Sequence, residues 1–178
     1  MRTIPCKTIL TFWLLPADAA RAHFRTAIRD LARRFDAPIF EPHLTLYTTD
    51  SEREDARGLL EQCLADQGPL RLRISGIGHS QQFTKTLFVQ FEPDQRVTAL
   101  NAKFQAASLT HRRNEINPHL SLLYKKMASS TQAEVAASLR IPFSEVEFDA
   151  VKAIISPAPI KSRREIEAWR VVAEKELR

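Results

Sequence analysis

The sequence predicts an α+β fold of two lobes related by an approximate two-fold, and three observations carry that expectation. The segment Pro42-His43-Leu44-Thr45-Leu46 returns as Pro118-His119-Leu120-Ser121-Leu122, an offset of 76 residues, 43 to 119. The same offset lays residues 8–14 on residues 84–90, two β-branched and aromatic runs that read as buried strands. Each run feeds an amphipathic stretch with apolar residues at helical spacing. These are Ala20, Phe24, Ile28, Leu31 and Phe35 in the first copy and Val97, Leu100, Phe104 and Ala107 in the second.

The elements follow in order from this repeat. Asp18 and Asp94 stand where helix N-caps are expected, near Pro16 and Pro93. The repeated pentapeptides are strands. After them come a helix over about 51–65 and a strand over 70–77, then a helix over about 131–139 and a strand over 146–155. A last strand, 166–173, has no partner in the count. Gly76 and Gly78 mark a bend or bulge before the second half, with the boundary near Ser80. The expectation is one bilobal domain over 1–178, with an approximate repeat of 8–79 and 84–155, each lobe an antiparallel sheet with helices.

The 178 residues, 44% of them hydrophobic, are enough to bury a core without staples. Cys6 and Cys63 lie far apart with no metal-binding spacing, so neither a disulfide framework nor a zinc site is expected. The longest apolar stretch, 9–17, is too short to span a membrane, and no signal-peptide pattern is read at the start. A soluble, cytoplasmic monomer is expected. The net charge of +5 favours an anionic partner, but the paired basic residues lack an RNA-recognition motif.

Alternation along a strand puts His43 and Thr45 on one face and Leu44 and Leu46 on the other, and His119 and Ser121 repeat this against Leu120 and Leu122. The leucines can anchor each strand while an imidazole and a hydroxyl face the space between the lobes. One such histidine reads as an ordinary wet strand position. Two at the same repeat position point to chemistry. Imidazoles titrate near neutrality, so a pair can serve as base and acid in one turnover, while Thr45 and Ser121 can donate to phosphoryl oxygens. No acidic residue lies within the motifs, so no metal and no cofactor is expected. His23, His79 and His111 have no repeat counterpart and read as surface or helix-end residues.

His43-Leu44-Thr45-Leu46 and His119-Leu120-Ser121-Leu122 resemble the paired H-x-T/S-x signature of the 2H phosphoesterase superfamily. Phe12-Trp13-Leu14-Leu15-Pro16, Glu41 to Tyr47 and Asn117 to Tyr124 look like its cyclic phosphodiesterase branch. The resemblance implies a bilobal fold with a central cleft. It implies metal-independent hydrolysis of a nucleotide-type cyclic phosphate, such as ADP-ribose 1'',2''-cyclic phosphate or a nucleoside 2',3'-cyclic phosphate, to a monoester. By the same resemblance His119 is the base and His43 the acid. Tyr124 would hydrogen-bond a phosphate oxygen and Trp13 would pack on sugar or base. Apart from the resemblance, the place of Phe83 in the loop before the second-half strand puts it over the pocket mouth. Tyr124 stands at i+5 from His119, on the opposite face of an ideal strand, and reaches the site only if the strand ends or bends. Two other readings stay open: an RNA-ligase-like enzyme acting on RNA ends, and a nucleotide-binding module without turnover.

Overall fold

The computed structural model describes residues 7–50 and 54–178. The order is β1 (Lys7–Pro16), α1 (Asp18–Phe35), β2 (Leu44–Asp50), α2 (Ala56–Cys63) and β3 (Leu70–His79), then β4 (Leu87–Phe91), α3 (Gln95–Ala107), β5 (His119–Leu123), α4 (Ser129–Ser138) and β6 (Glu145–Ala158), and last α5 (Arg163–Glu167) and β7 (Arg170–Glu176). The chain forms the α+β class with antiparallel strands that the sequence predicts.

The strands of the two halves are hydrogen-bonded into one sheet. β1 lies between β2 and β6, β5 pairs β4, and β4 pairs β3. The long β6 crosses between the halves, pairing β3 through its first residues and β1 and β7 further on. Leu44 opposite Leu120 joins β2 to β5, which closes the ring β1-β2-β5-β4-β3-β6, with β7 outside it on β6. α1 packs on β1 and β5, α3 on β2, and α4 on β3.

β1 is buried on both faces. Leu10, Phe12 and Leu14 enter the main core, while Trp13 and Leu15 form a second cluster with Ala150 and Ile154 of β6. That second cluster underlies the functional cleft, so Trp13 is at once a packed residue and a wall of the site.

Several local expectations are corrected. Asp18 is the first residue of α1 and not its cap, a place taken by Ala17 without a side-chain bond. Asp94 does cap α3, accepting from Arg96 N at 2.8 Å and Val97 N at 3.3 Å. α2 begins after Asp55, whose side chain accepts from Arg57 N, and the expected start at Ser51 lies outside the described residues, as does Cys6.

The strand expected from Thr84 starts only at Leu87, because Phe83–Lys85 form a 3-10 turn. Ser80 Oγ donates to Lys85 O at 2.6 Å and Thr86 Oγ1 to Phe83 O at 3.0 Å, side-chain bonds that hold the backbone in a turn. The strand expected over 166–173 is α5 followed by β7. Ser162 and Glu165 have the spacing of a capping box, and Ser162 Oγ donates to the Glu165 carboxylate at 2.5 Å.

Candidate active site

Each motif strand carries a β-bulge at the same place. Trp13 pairs Thr45 and Phe12 pairs Tyr47, leaving Leu46 extra in β2. Phe88 pairs Ser121 and Leu87 pairs Leu123, leaving Leu122 extra in β5. A bulge flips the alternation beyond it. Leu46 and Tyr47 both enter the core, as do Leu122 and Leu123, and Thr48 and Tyr124 rejoin the face of their histidines. This is how Tyr124 reaches a cleft that an ideal strand would deny it.

That face lines one cleft of about 480 Å³, which gathers Trp13, His43, Thr45, Thr48, His119, Ser121 and Tyr124 with Lys85 and Trp169. Extending the Leu44–Leu120 pair by one residue sets Thr45 opposite His119 and His43 opposite Ser121. The two imidazoles are then diagonal neighbours across the β2–β5 junction, on the face that lines the cleft.

Both rings are oriented identically. His43 Nδ1 donates to Glu41 O at 2.6 Å and His119 Nδ1 to Asn117 O at 2.7 Å, each a carbonyl two residues upstream. A carbonyl only accepts, so Nδ1 carries the proton and Nε2 of each ring is left for a substrate. The Glu41 that holds His43 is itself held, its carboxylate bonded by Lys152 at 2.8 Å and Arg25 at 3.2 Å.

The surroundings of the two rings differ. His43 is 6% exposed, stacked on Trp13 with ring centres 3.7 Å apart and flanked edge-on by Trp169 at 6.0 Å and Phe40 at 6.3 Å. This burial pushes its pKa down to about 4, against smaller opposing effects of the Glu41 carbonyl and carboxylate. His119 is half-buried, with Phe88 edge-on at 5.6 Å. Phe88 therefore occupies beside His119 the strand position that Trp13 occupies beside His43. Burial lowers the His119 pKa too, the Asn117 carbonyl opposes it, and the Lys85 ammonium lowers it further.

Gly78 makes room for Phe88. A Cβ at Gly78 would stand 2.5 Å from Phe88 Cζ, so no larger residue fits beneath the ring. Lys85 Nζ lies 4.4 Å from the centre of the same ring, and burial lowers its pKa.

The remaining expected site residues are placed as follows. Thr45 is exposed at the cleft wall. Ser121 Oγ donates to Thr84 O at 2.8 Å, so in this structure its proton is directed to the backbone and not to the cleft. The Tyr124 phenol meets the Ser121 hydroxyl and stacks on Phe40 at 3.9 Å, and burial raises its pKa, which keeps it a protonated donor. Phe83 does not line the cleft; it packs on Tyr124 at 6.2 Å while its neighbours Gln82, Thr84 and Lys85 face the opening. Cys63 is buried, its thiol pushed up to about 11, and stands away from the site.

Sequence reasoning missed Lys85 and Trp169. Trp169 packs edge-on to Trp13 at 4.9 Å, and its buried indole N–H has no hydrogen-bond acceptor among the described residues. Among the described residues no group of three His, Cys, Asp or Glu side chains is placed to hold a metal ion, and no helix is long and apolar enough to cross a membrane.

A profile of the 2'-5' RNA ligase superfamily matches residues 11–155. The chain belongs to this superfamily, the 2H phosphoesterases. Solved structures repeat its fold over almost their whole length. E. coli LigT complexed with 3'-AMP is 16% identical with a TM-score of 0.60, covering 96% of this chain and 98% of that one. A crystal structure described as a phosphoesterase is 14% identical with a TM-score of 0.59, covering 97% of this chain and 99% of that one. No curated protein sequence matches the chain.

Proposed function

We propose that this 2H phosphoesterase is a metal-independent cyclic phosphodiesterase that opens a nucleotide-type cyclic phosphate to a monoester, with His43 and His119 as its acid–base pair. One observation carries the reading: equivalent positions of the two motifs present matched Nε2 atoms to a single cleft whose lining, among the described residues, includes Lys85 and no carboxylate. Such a lining suits a phosphate anion, and two imidazoles fall short of the three protein ligands of a catalytic zinc.

In the reaction the neutral ring takes a proton from water as the water oxygen bonds to phosphorus. The charged ring gives a proton to the sugar oxygen as its bond to phosphorus breaks. Thr45, Lys85 and Tyr124 steady the phosphoryl oxygens as charge grows, and Ser121 joins them once it turns from the Thr84 carbonyl. Trp13 and Trp169 supply an aromatic wall for sugar or base.

The protonation order favours the reverse of the roles implied by resemblance. The more deeply buried His43 is the ring held neutral, so it serves as the base and His119 as the acid. An ester whose leaving oxygen departs without a proton distinguishes the two. Catechol cyclic phosphate should survive as a substrate of His119→Ala far better than of His43→Ala, and the opposite pattern restores the other assignment.

A panel of cyclic phosphates, with products identified, tests the activity itself; no turnover of any member refutes it. The second reading, action on RNA 3' ends, is favoured by the superfamily match and by the 3'-AMP found in LigT. Long RNA would show a steep loss of affinity with salt, whereas a single nucleotide would show a shallow one.

A further inference from the structure

The carbonyls that orient the two imidazoles belong to residues whose own side chains are secured, and the two copies of the repeat secure them by different chemistry. Glu41 and Asn117 occupy equivalent repeat positions, each two residues before its histidine with a proline between. Proline fixes its own φ and restricts the residue before it to extended backbone, so the Glu41-Pro42 and Asn117-Pro118 links are stiff. Holding the side chain at the start of a stiff link also holds its carbonyl.

In the first copy the hold is ionic. Lys152 Nζ donates to both oxygens of the Glu41 carboxylate, at 2.9 Å and 2.8 Å, and Arg25 of α1 adds a further bond at 3.2 Å. Lys152 stands on β6 directly opposite Trp13, and both members of the ion pair are half-buried. A circuit closes here. Trp13 stacks on His43, His43 donates to the Glu41 carbonyl, the Glu41 carboxylate accepts from Lys152, and Lys152 returns to Trp13 across the β1–β6 ladder.

In the second copy the hold is neutral. Gln90 Nε2 donates to Asn117 Oδ1 at 2.7 Å and to Pro118 O at 2.8 Å, from a place on β4 directly opposite His119. Lys152, Glu41 and Gln90 stand outside the cleft lining, so a substrate in the cleft does not touch them. What they reach is the tautomer. Which imidazole nitrogen carries the proton is set by the hydrogen bond the other ring nitrogen makes, and a fixed carbonyl on Nδ1 keeps Nε2 for the substrate.

We propose that Lys152 acting through Glu41, and Gln90 acting through Asn117, are positioning residues, one set for each imidazole, which hold the carbonyls that keep Nε2 of His43 and His119 directed into the cleft. The inference rests on the proposed function for the work the rings do, while the holding of each ring can be read without turnover.

The test reads both rings in Lys152→Met and Gln90→Leu, by nitrogen–proton correlation spectra of the imidazoles at mildly alkaline pH, where both are neutral, and by steady-state kinetics. In the wild type both rings should carry the proton on Nδ1. Lys152→Met should move the His43 proton towards Nε2 and leave His119 as it was, and Gln90→Leu should do the reverse. Each variant should lose kcat by about tenfold, up to about a hundredfold where the ring moves near 1 Å, with little change in KM. A general loosening of the fold would not give this crossed pattern. A ring that keeps its Nδ1 proton in its own variant, a variant that disturbs both rings alike, or an unchanged kcat where the tautomer has shifted overturns the assignment. Should Lys152→Met not fold, Glu41→Gln with Lys152→Met removes both charges of the pair and must displace the His43 proton in the same way. Where no cyclic phosphate is turned over the proposed function fails, and the spectra still decide whether the rings are held as described.

Discussion

Replacing His43 with glutamine should flatten the dependence of stability on acid pH. In the folded protein the ring is enclosed by Trp13, Trp169 and Phe40 and its pKa falls from 6.5 to about 4, while in the unfolded chain it keeps its ordinary value. Between these pH values the unfolded state binds the proton and the folded state does not, so the stability present above pH 6.5 is lost as pH falls towards 4. At 1.36 kcal/mol per unit the loss is about 3 kcal/mol. Glutamine has no such proton to bind. Glu41, lowered by Lys152 and Arg25, contributes in both proteins and drops out of the difference. Urea denaturation of the two proteins at pH 7 and pH 4 gives the number, with the wild type losing about 3 kcal/mol more. Parallel losses, or a His43 ring signal that titrates near 6.5 by NMR, would show that the aromatic enclosure does not hold the ring neutral.

Two further outcomes follow from the same geometry. Gly78→Ala puts a Cβ 2.5 Å from Phe88 Cζ and so displaces the ring that stands edge-on to His119, and kcat should fall, by up to about a hundredfold for a misplacement near 1 Å, with a smaller change in thermal stability; an unchanged kcat removes Phe88 as a positioning residue. Lys85→Met removes the cation that lowers the His119 pKa, so the alkaline limb of the kcat/KM profile should move to higher pH while kcat/KM itself drops; a limb that stays in place separates Lys85 from His119.

The repeat made much of this protein legible from sequence. Pro42 to Leu46 and Pro118 to Leu122 gave the strands, the histidines and their faces, because alternation holds along both strands as far as the bulges. It fails at Leu46 and Leu122, where one extra residue in each strand shifts parity, and no residue type announces such a bulge. Tyr124 was therefore reached by resemblance and not by pattern. Trp169 lies beyond the repeat, so nothing paired it with Trp13. The short α5 that precedes it carries the capping-box spacing of Ser162 and Glu165, a signal that the strand expected over 166–173 does not use. Lys85 was hidden in a segment read as strand, since the turn is made by the Ser80 and Thr86 side chains rather than by glycine or proline. The joining of both halves into one sheet depends on long-range pairing of β2 with β5 and on the length of β6, neither of which local pattern encodes.

The most direct test of the account is single-turnover hydrolysis of a nucleoside 2',3'-cyclic phosphate in the presence of a chelator, with product analysis, by the wild type, His43→Ala and His119→Ala. The wild type should give a single class of monoester at a rate unaffected by the chelator, and each variant should be slower by roughly 10²–10⁴-fold, the usual contribution of one positioned acid or base. Full activity in either variant, or wild-type activity that vanishes with the chelator and returns with a divalent ion, would contradict a reaction run by two imidazoles.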